Sequence, residues 1–186
     1  MRAFIGLDFD VGLKKELCEI QKILKLSSKK GSWVPQPNFH ITLKFLGNID
    51  EDKVGCIDKA IKYVAYSNSP ISLILGELGY FNKKGEEYGV LWLGIKGAVE
   101  KLHRVYDMME RKMNEIGFVM EKREFTPHIT LGRKVKSNIP FNELSESIEH
   151  KLGRSFTLHN IALMKSHEVM GKRVYTPIKY HEFVRY

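Results

Sequence analysis

The sequence predicts a mixed helix-and-strand fold of two similar halves facing each other across a groove. Apolar residues recur at steps of three and four in three segments and alternate in most of the others, so helices and strands are interleaved. The string His-Ile-Thr-Leu occurs twice, 88 residues apart. The chain has 186 residues, 43% of them apolar, enough to bury one sizeable core.

Arg2 to Phe9 reads as a short buried strand. A helix follows from Val11 to Leu26, with Leu13, Leu17, Ile20 and Leu24 on one face. Ser27 to Gly31 breaks it, and the turn Val34-Pro35-Gln36-Pro37 leads into a period-two strand, Phe39 to Leu46, ended by Gly47-Asn48. A second helix fits Glu51 to Tyr66, with Val54, Ile57, Ala60, Ile61 and Val64 as its apolar stripe. Ile71 to Phe81 and Glu87 to Ile95 bracket Asn82-Lys83-Lys84-Gly85 as a hairpin. The third helix runs from Val99 to Ile116 over Leu102, Val105, Met109 and Met113, with Gly117 as its stop. Phe125 to Arg133 is a further strand, and Phe156 to Lys165 with Arg173 to Val184 reads as a closing hairpin.

Slid against itself by 88 residues, the chain places His40-Ile41-Thr42-Leu43 on His128-Ile129-Thr130-Leu131. The same offset places Phe4-Ile5-Gly6-Leu7 on Trp92-Leu93-Gly94-Ile95 and the first helix on the third. Each half is then strand, helix, and a strand carrying His-Ile-Thr-Leu. Residues 1–186 are expected to form one domain of two duplicated lobes. The period is too long and the copies too few for a solenoid.

Thirty Lys and Arg against twenty-two Asp and Glu give a formal charge of +8. That balance favours polyanionic partners, although lysine-rich solubility explains it equally well. The longest apolar runs fall far short of the ~20 residues that cross a bilayer, and the acidic Asp8 and Asp10 come too early for a secretory signal. A cytoplasmic monomer without a membrane partner is therefore expected. Cys18 and Cys56, with no CxxC spacing, offer neither a disulfide framework nor a thiolate metal site and read as buried thiols.

Strand alternation puts His40, Thr42 and Lys44 on one face and Ile41, Leu43 and Phe45 on the other. The apolar face goes to the helices, leaving the His/Thr face to the groove; His128 and Thr130 follow the same parity. Two opposed imidazoles suit acid-base chemistry near neutral pH, one as base and one as acid. Threonine hydroxyls beside them can donate to a phosphoryl oxygen, and in-line displacement at phosphorus needs those parts. One His-x-Thr alone is an ordinary half-exposed strand; two in register point to a site. A metal centre would need a third ligand that neither motif carries on this face, so no metal and no cofactor are expected. Lys44 has the parity to neutralise phosphate. Arg133 has the wrong parity unless the strand ends or bulges there. Tyr80, Phe81, Phe125 and Tyr175 are all candidates for stacking a base. His103, His150, His159, His167 and His181 read as surface or satisfied histidines.

Trp33-Val34-Pro35 with Asn38-Phe39-His40-Ile41-Thr42-Leu43-Lys44-Phe45-Leu46-Gly47 resembles the first signature of the 2H phosphoesterase superfamily, in its RNA 2',3'-cyclic phosphodiesterase (2'-5' RNA ligase) branch. Thr126-Pro127-His128-Ile129-Thr130-Leu131-Gly132-Arg133 resembles the second, and Met1 to Ile5 and Val90 to Gly94 are similar to that branch's opening and mid-chain strands. The resemblance implies a bilobal α+β fold, two pseudo-symmetric antiparallel sheets forming a V-shaped cleft with helices outside. It also implies metal-independent opening of RNA 2',3'-cyclic phosphate ends to 2'-phosphates; the sequence does not select among tRNA fragments, other cleaved RNAs and short oligonucleotides as the substrate. His40 would protonate the departing 3'-oxygen, His128 would activate water, and Thr42 and Thr130 would hold the phosphate. Some members also form a 2'-5' bond, with an RNA 5'-hydroxyl as the other reactant. The branch often has Glu-Ser where this chain has Lys165-Ser166-His167. A noncatalytic RNA or nucleotide-binding module using the same groove is the alternative.

Overall fold

An apolar strand followed at once by an amphipathic helix occurs twice in the computed structural model, which describes residues 1–184. β1 (Arg2–Asp8) leads into α1 (Val11–Leu26), and β5 (Glu87–Gly97) leads into α3 (Val99–Glu115). Asp10 caps α1 by accepting from the Leu13 amide at 2.8 Å, satisfying an amide the helix leaves free. Gly117, at φ +93°, lets the chain leave α3 through the left-handed region. The buried stripes are the expected ones: Leu13, Leu17, Ile20 and Leu24 in α1, and Leu102, Val105, Met109 and Met113 in α3.

The strands form two antiparallel sheets, with helices on their outer faces, in an α+β fold. The first has the order β3-β1-β8-β9, with β3 (His40–Asn48), β8 (Asn160–Val169) and β9 (Lys172–Glu182). The second has the order β2-β6-β5-β4-β7, with β2 (Ser28–Trp33), β4 (Ile71–Lys84), β6 (His128–Ser137) and β7 (Ser155–Leu158). α2 (Val54–Tyr66) packs on β8, β9 and α3, while α4 (Phe141–Glu146) is a short turn of helix. α1 leaves a strand of the first sheet but lies beside β2 of the second; α3 leaves the second sheet but lies against β3 of the first. Buried Gln21 on α1 donates to the carbonyls of Leu131 (2.6 Å) and Val34 (2.9 Å), fastening the helix to the sheet it crosses to. Both halves contribute to one continuous core.

Three expectations need correction. Ser27 to Gly31 does not simply break the helix, because Ser28–Trp33 pairs with β6 as an edge strand. Its Lys and Ser content hides it from a hydrophobic pattern and suits an edge that must not recruit other strands. The strand Phe156 to Lys165 is split at His159, so that β7 pairs with β4 in one sheet and β8 with β1 and β9 in the other. Cys56 is exposed and Cys18 half-buried; Cys56 sits one residue, about 100° of helix, away from the fully buried Ile57.

The pairing that frames the groove is the same in both sheets. In the first, Asp8 lies opposite His40, Gly6 opposite Thr42, Ile5 opposite Lys44 and Phe4 opposite Phe45. In the second, Gly94 lies opposite His128, Trp92 opposite Thr130, Leu91 opposite Gly132 and Val90 opposite Arg133. Leu43 and Leu131 are the extra residues of two equivalent bulges. The motif strands are related by 88 positions but their partners by 86, so the predicted match of Phe4 to Leu7 with Trp92 to Ile95 is two residues out of pairing. Two is even, and the faces survive the slip.

Candidate active site

Each motif strand presents its His and Thr to the cleft because the residues between and after them, Ile41, Leu43, Ile129 and Leu131, are buried in the core. The cleft has a volume of about 210 Å³, and His40, Thr42, His128, Thr130 and Arg133 all line it. The structure thus brings together five of the six residues singled out from the sequence.

The sixth, Lys44, is turned away, and the bulge is the reason. An extra residue at Leu43 reverses the alternation, so Lys44 follows Leu43 into the protein and Phe45 emerges on the cleft side, 71% exposed. The Lys44 ammonium donates to both oxygens of Glu110 on α3 at 2.8 Å and to the Val119 carbonyl at 2.9 Å. Its charge is already answered inside the protein, which corrects its expected orientation toward phosphate. The equivalent bulge at Leu131 buries Gly132 and sends Arg133 out to the cleft.

Both imidazoles are held by the backbone. His40 Nδ1 lies 2.7 Å from the Asn38 carbonyl and His128 Nδ1 lies 2.7 Å from the Thr126 carbonyl. A carbonyl only accepts, so Nδ1 carries the proton in each ring and Nε2 is left to exchange protons in the cleft. The Thr42 hydroxyl, 2.9 Å away, donates to Nε2 of neutral His40. Burial pulls the pKa of His40 down to about 4, against the opposing pull of its carbonyl bond and of Asp8 across the strand pair. Burial lowers that of His128 as well, and the Arg133 cation adds to the effect.

Aromatic rings fix the ring planes. His40 packs against Phe4 (4.7 Å between centroids) and edge-on to Tyr175 (5.3 Å). His128 packs against Trp92 (5.8 Å) and edge-on to Phe81 (5.1 Å). Tyr175 is brought there by Asn38, which donates to the Arg173 carbonyl at 2.8 Å and accepts from the Tyr175 amide at 3.2 Å. Nothing along the chain marks Asn38 beyond its place in the motif, since its partners lie over 130 positions away. Of the four candidate stacking residues, Tyr175 lines this cleft. Phe81 and Phe125 line an adjoining cavity of about 800 Å³, which shares Thr42, Phe45, Val90 and His128 with it. Tyr80 packs instead against Tyr88 and Phe141. Among the described residues, no three His, Cys, Asp or Glu side chains are grouped to hold a metal ion. None of the described helices is long and apolar enough to cross a membrane.

A cleft between two sheets, with one His-x-Thr strand contributed by each, defines a 2H phosphoesterase. Residues 7–92 match the family model described as LigT like Phosphoesterase. The chain is 32% identical over 149 residues to RNA 2',3'-cyclic phosphodiesterase of Thermotoga maritima, covering 80% of this chain and 78% of that protein. It is 30% identical over 185 residues to the protein of that name from Methanothermobacter thermautotrophicus, covering 96% and 97%. The crystal structure of E. coli LigT in apo form superposes with a TM-score of 0.77 at 21% identity, over 99% of this chain and 98% of that one. The chain belongs to the LigT-like phosphoesterase family and is an enzyme of it.

Proposed function

We propose that this enzyme opens the 2',3'-cyclic phosphate at the end of an RNA to a 2'-phosphate, with no metal ion. The observation that carries the reading is the pair of Nε2 atoms, each freed by a pinned Nδ1–H, in one cleft lined by two threonines and an arginine. His128 Nε2 takes a proton from water as the water oxygen bonds to phosphorus. The bond from phosphorus to the 3'-oxygen breaks, and protonated His40 gives its Nε2 proton to that oxygen; the bond to the 2'-oxygen stays. Thr42, Thr130 and Arg133 donate to the phosphoryl oxygens, where charge gathers in the transition state. With an RNA 5'-hydroxyl in place of water as the nucleophile, and the 3'-oxygen leaving as before, the same steps make a 2'-5' bond.

The relatives' shared name supports the substrate, and the repeated pairing around both motifs supports a single domain of two duplicated lobes. We read the enzyme as a cytoplasmic monomer acting on cleaved RNAs, tRNA fragments included. The test is turnover of an oligoribonucleotide ending in a 2',3'-cyclic phosphate, with excess EDTA and the product's phosphate position determined. A 2'-phosphate product is expected. Binding without turnover would leave a noncatalytic RNA-binding module, and activity lost to EDTA and restored by a divalent ion would overturn the metal-free mechanism.

A further inference from the structure

The two lobes repeat each other at the His/Thr pairs and then diverge. Immediately past the bulge, the first lobe shows Phe45 to the cleft and the second shows Arg133. Beyond Phe45, the cleft side of the first sheet is apolar, with Phe4, Ala162, Met164 and Tyr175 packed together. The second sheet goes the other way.

Residues directly opposite each other in a sheet share a face, so the pairing of β2, β6, β5 and β4 places each side chain. Val135 lies opposite Tyr88, and both are buried in the core. Lys136, the next residue, therefore emerges on the cleft side, as Arg133 does. Lys136 stands between Lys30 on β2 and Glu87 on β5, and Glu87 stands opposite Lys84 on β4. Lys30, Lys136, Glu87 and Lys84 thus form one row across four strands, about 14 Å wide at ~4.8 Å per strand. Rows bearing His128, Thr130 and Arg133 lead up to it along β6. The three lysines are exposed, and none of them is ion-paired within 4 Å among the described residues.

Lys30 and Lys136 are like charges directly opposite, an arrangement that destabilises a sheet unless an anion lies over it. The single carboxylate of the row, Glu87, neutralises one of three cations. Continuity with Arg133 makes the backbone of a nucleic acid the anion that fits, because a chain whose terminal phosphate sits at the histidines must leave the cleft along one of its walls. Resting on the proposed activity, we infer that the second sheet's cleft side, through Lys30, Lys84 and Lys136, is the track that carries the RNA backbone away from the reacting phosphate.

The experiment measures the affinity of a fluorescein-labelled 12-nucleotide single-stranded RNA, with a 3'-terminal phosphate, by anisotropy across a salt series. The triple variant Lys30→Gln/Lys84→Gln/Lys136→Gln is compared with Lys59→Gln/Lys62→Gln/Lys101→Gln, which removes the same charge from exposed helix positions. The track predicts at least a tenfold rise in Kd for the first variant at low salt. It also predicts that the slope of log K against log salt becomes shallower by about 2, at ~0.7 per phosphate contact on a single strand. Restoring Lys30→Arg, Lys84→Arg and Lys136→Arg should restore both. Equal losses in the two triple variants, or none in the first, would overturn the track. Turnover of a mononucleotide 2',3'-cyclic phosphate, which has no further backbone to bind, is read separately. Its absence in the wild type would sink the proposed activity, while the anisotropy series would still decide whether the strip binds RNA.

Discussion

His40 and His128 are pinned alike, each donating Nδ1–H to the carbonyl two residues earlier, Asn38 and Thr126, at 2.7 Å. The repeat therefore extends below the side chains to the backbone that fixes their tautomer. With Nδ1 engaged in both, the two rings differ in their surroundings: Phe4 and Tyr175 pack on His40, Trp92 and Phe81 on His128, and the Thr42 hydroxyl reaches His40 Nε2. In the proposed mechanism one local design, used twice, supplies both the base and the acid.

Removing either ring should lower kcat by ~10²- to 10⁴-fold, the usual worth of a positioned acid or base. Thr42→Ala and Thr130→Ala should cost less, since each removes one donor among several. Steady-state kinetics on folded variants, with folding checked by circular dichroism, decides this. Wild-type turnover in folded His40→Ala or His128→Ala would end the two-histidine mechanism.

Gly79 leaves no room for a side chain: an added Cβ would stand 2.3 Å from the Trp92 indole, which lies flat over it. Trp92 in turn packs against His128. Gly79→Val should displace the indole and reduce kcat about tenfold or more, whereas Gly55→Ala, on α2 with open space around it, should leave kcat unchanged. Equal kcat in Gly79→Val and wild type would show that the indole does not hold the imidazole.

The bulge separates two cations that the sequence ranks in the wrong order. Arg133→Ala should lower kcat/KM for the cyclic phosphate with little loss of stability, because the side chain is exposed at the cleft. Glu110→Gln should instead destabilise the fold by ~3 to 5 kcal/mol, because it strands the Lys44 ammonium in a site where Lys44 is 7% exposed. Lys44→Met combined with Glu110→Leu should recover much of that loss. Urea denaturation of the three variants tests the pair, and a Glu110→Gln midpoint equal to wild type would contradict it.

These residues also show how far the sequence could be read. Helices were legible because a stripe such as Leu13, Leu17, Ile20 and Leu24 needs no knowledge of its partner. His40, Thr42, His128 and Thr130 were legible because alternation holds up to the bulge. Lys44 and Arg133 lie one and two residues past it, and a bulge is a property of two paired strands, invisible along one. Asn38 and Tyr175 meet only through tertiary structure, and β2 is an edge strand whose polar sequence lacks the alternation that marks a strand.

The last prediction concerns pH. The proposed reaction needs one histidine protonated and the other neutral, yet burial pulls His40 to about 4 and lowers His128 too. A lowered histidine pKa means that the proton leaves earlier as pH rises, so in the free enzyme the one-proton form is populated at acidic pH and fades toward neutrality. The optimum of kcat/KM should therefore lie below pH ~6.5, the ordinary histidine value. A bound phosphate monoanion stabilises imidazolium, so the optimum of kcat should sit higher. The two limbs belong to the pair rather than to either residue. Two variants assign them. In His128→Ala, whatever activity remains should lose its acidic limb, because the base that protonation disables is gone. In Arg133→Gln, the cation that disfavours the His128 imidazolium is gone, so the pair holds its protons to higher pH and the profile should shift upward. Profiles are measured with a substrate that does not titrate between pH ~4 and ~9. A kcat/KM optimum above pH ~7.5, or an acidic limb unmoved in both variants, would refute the assignment of His128 as base and leave the fold and family standing.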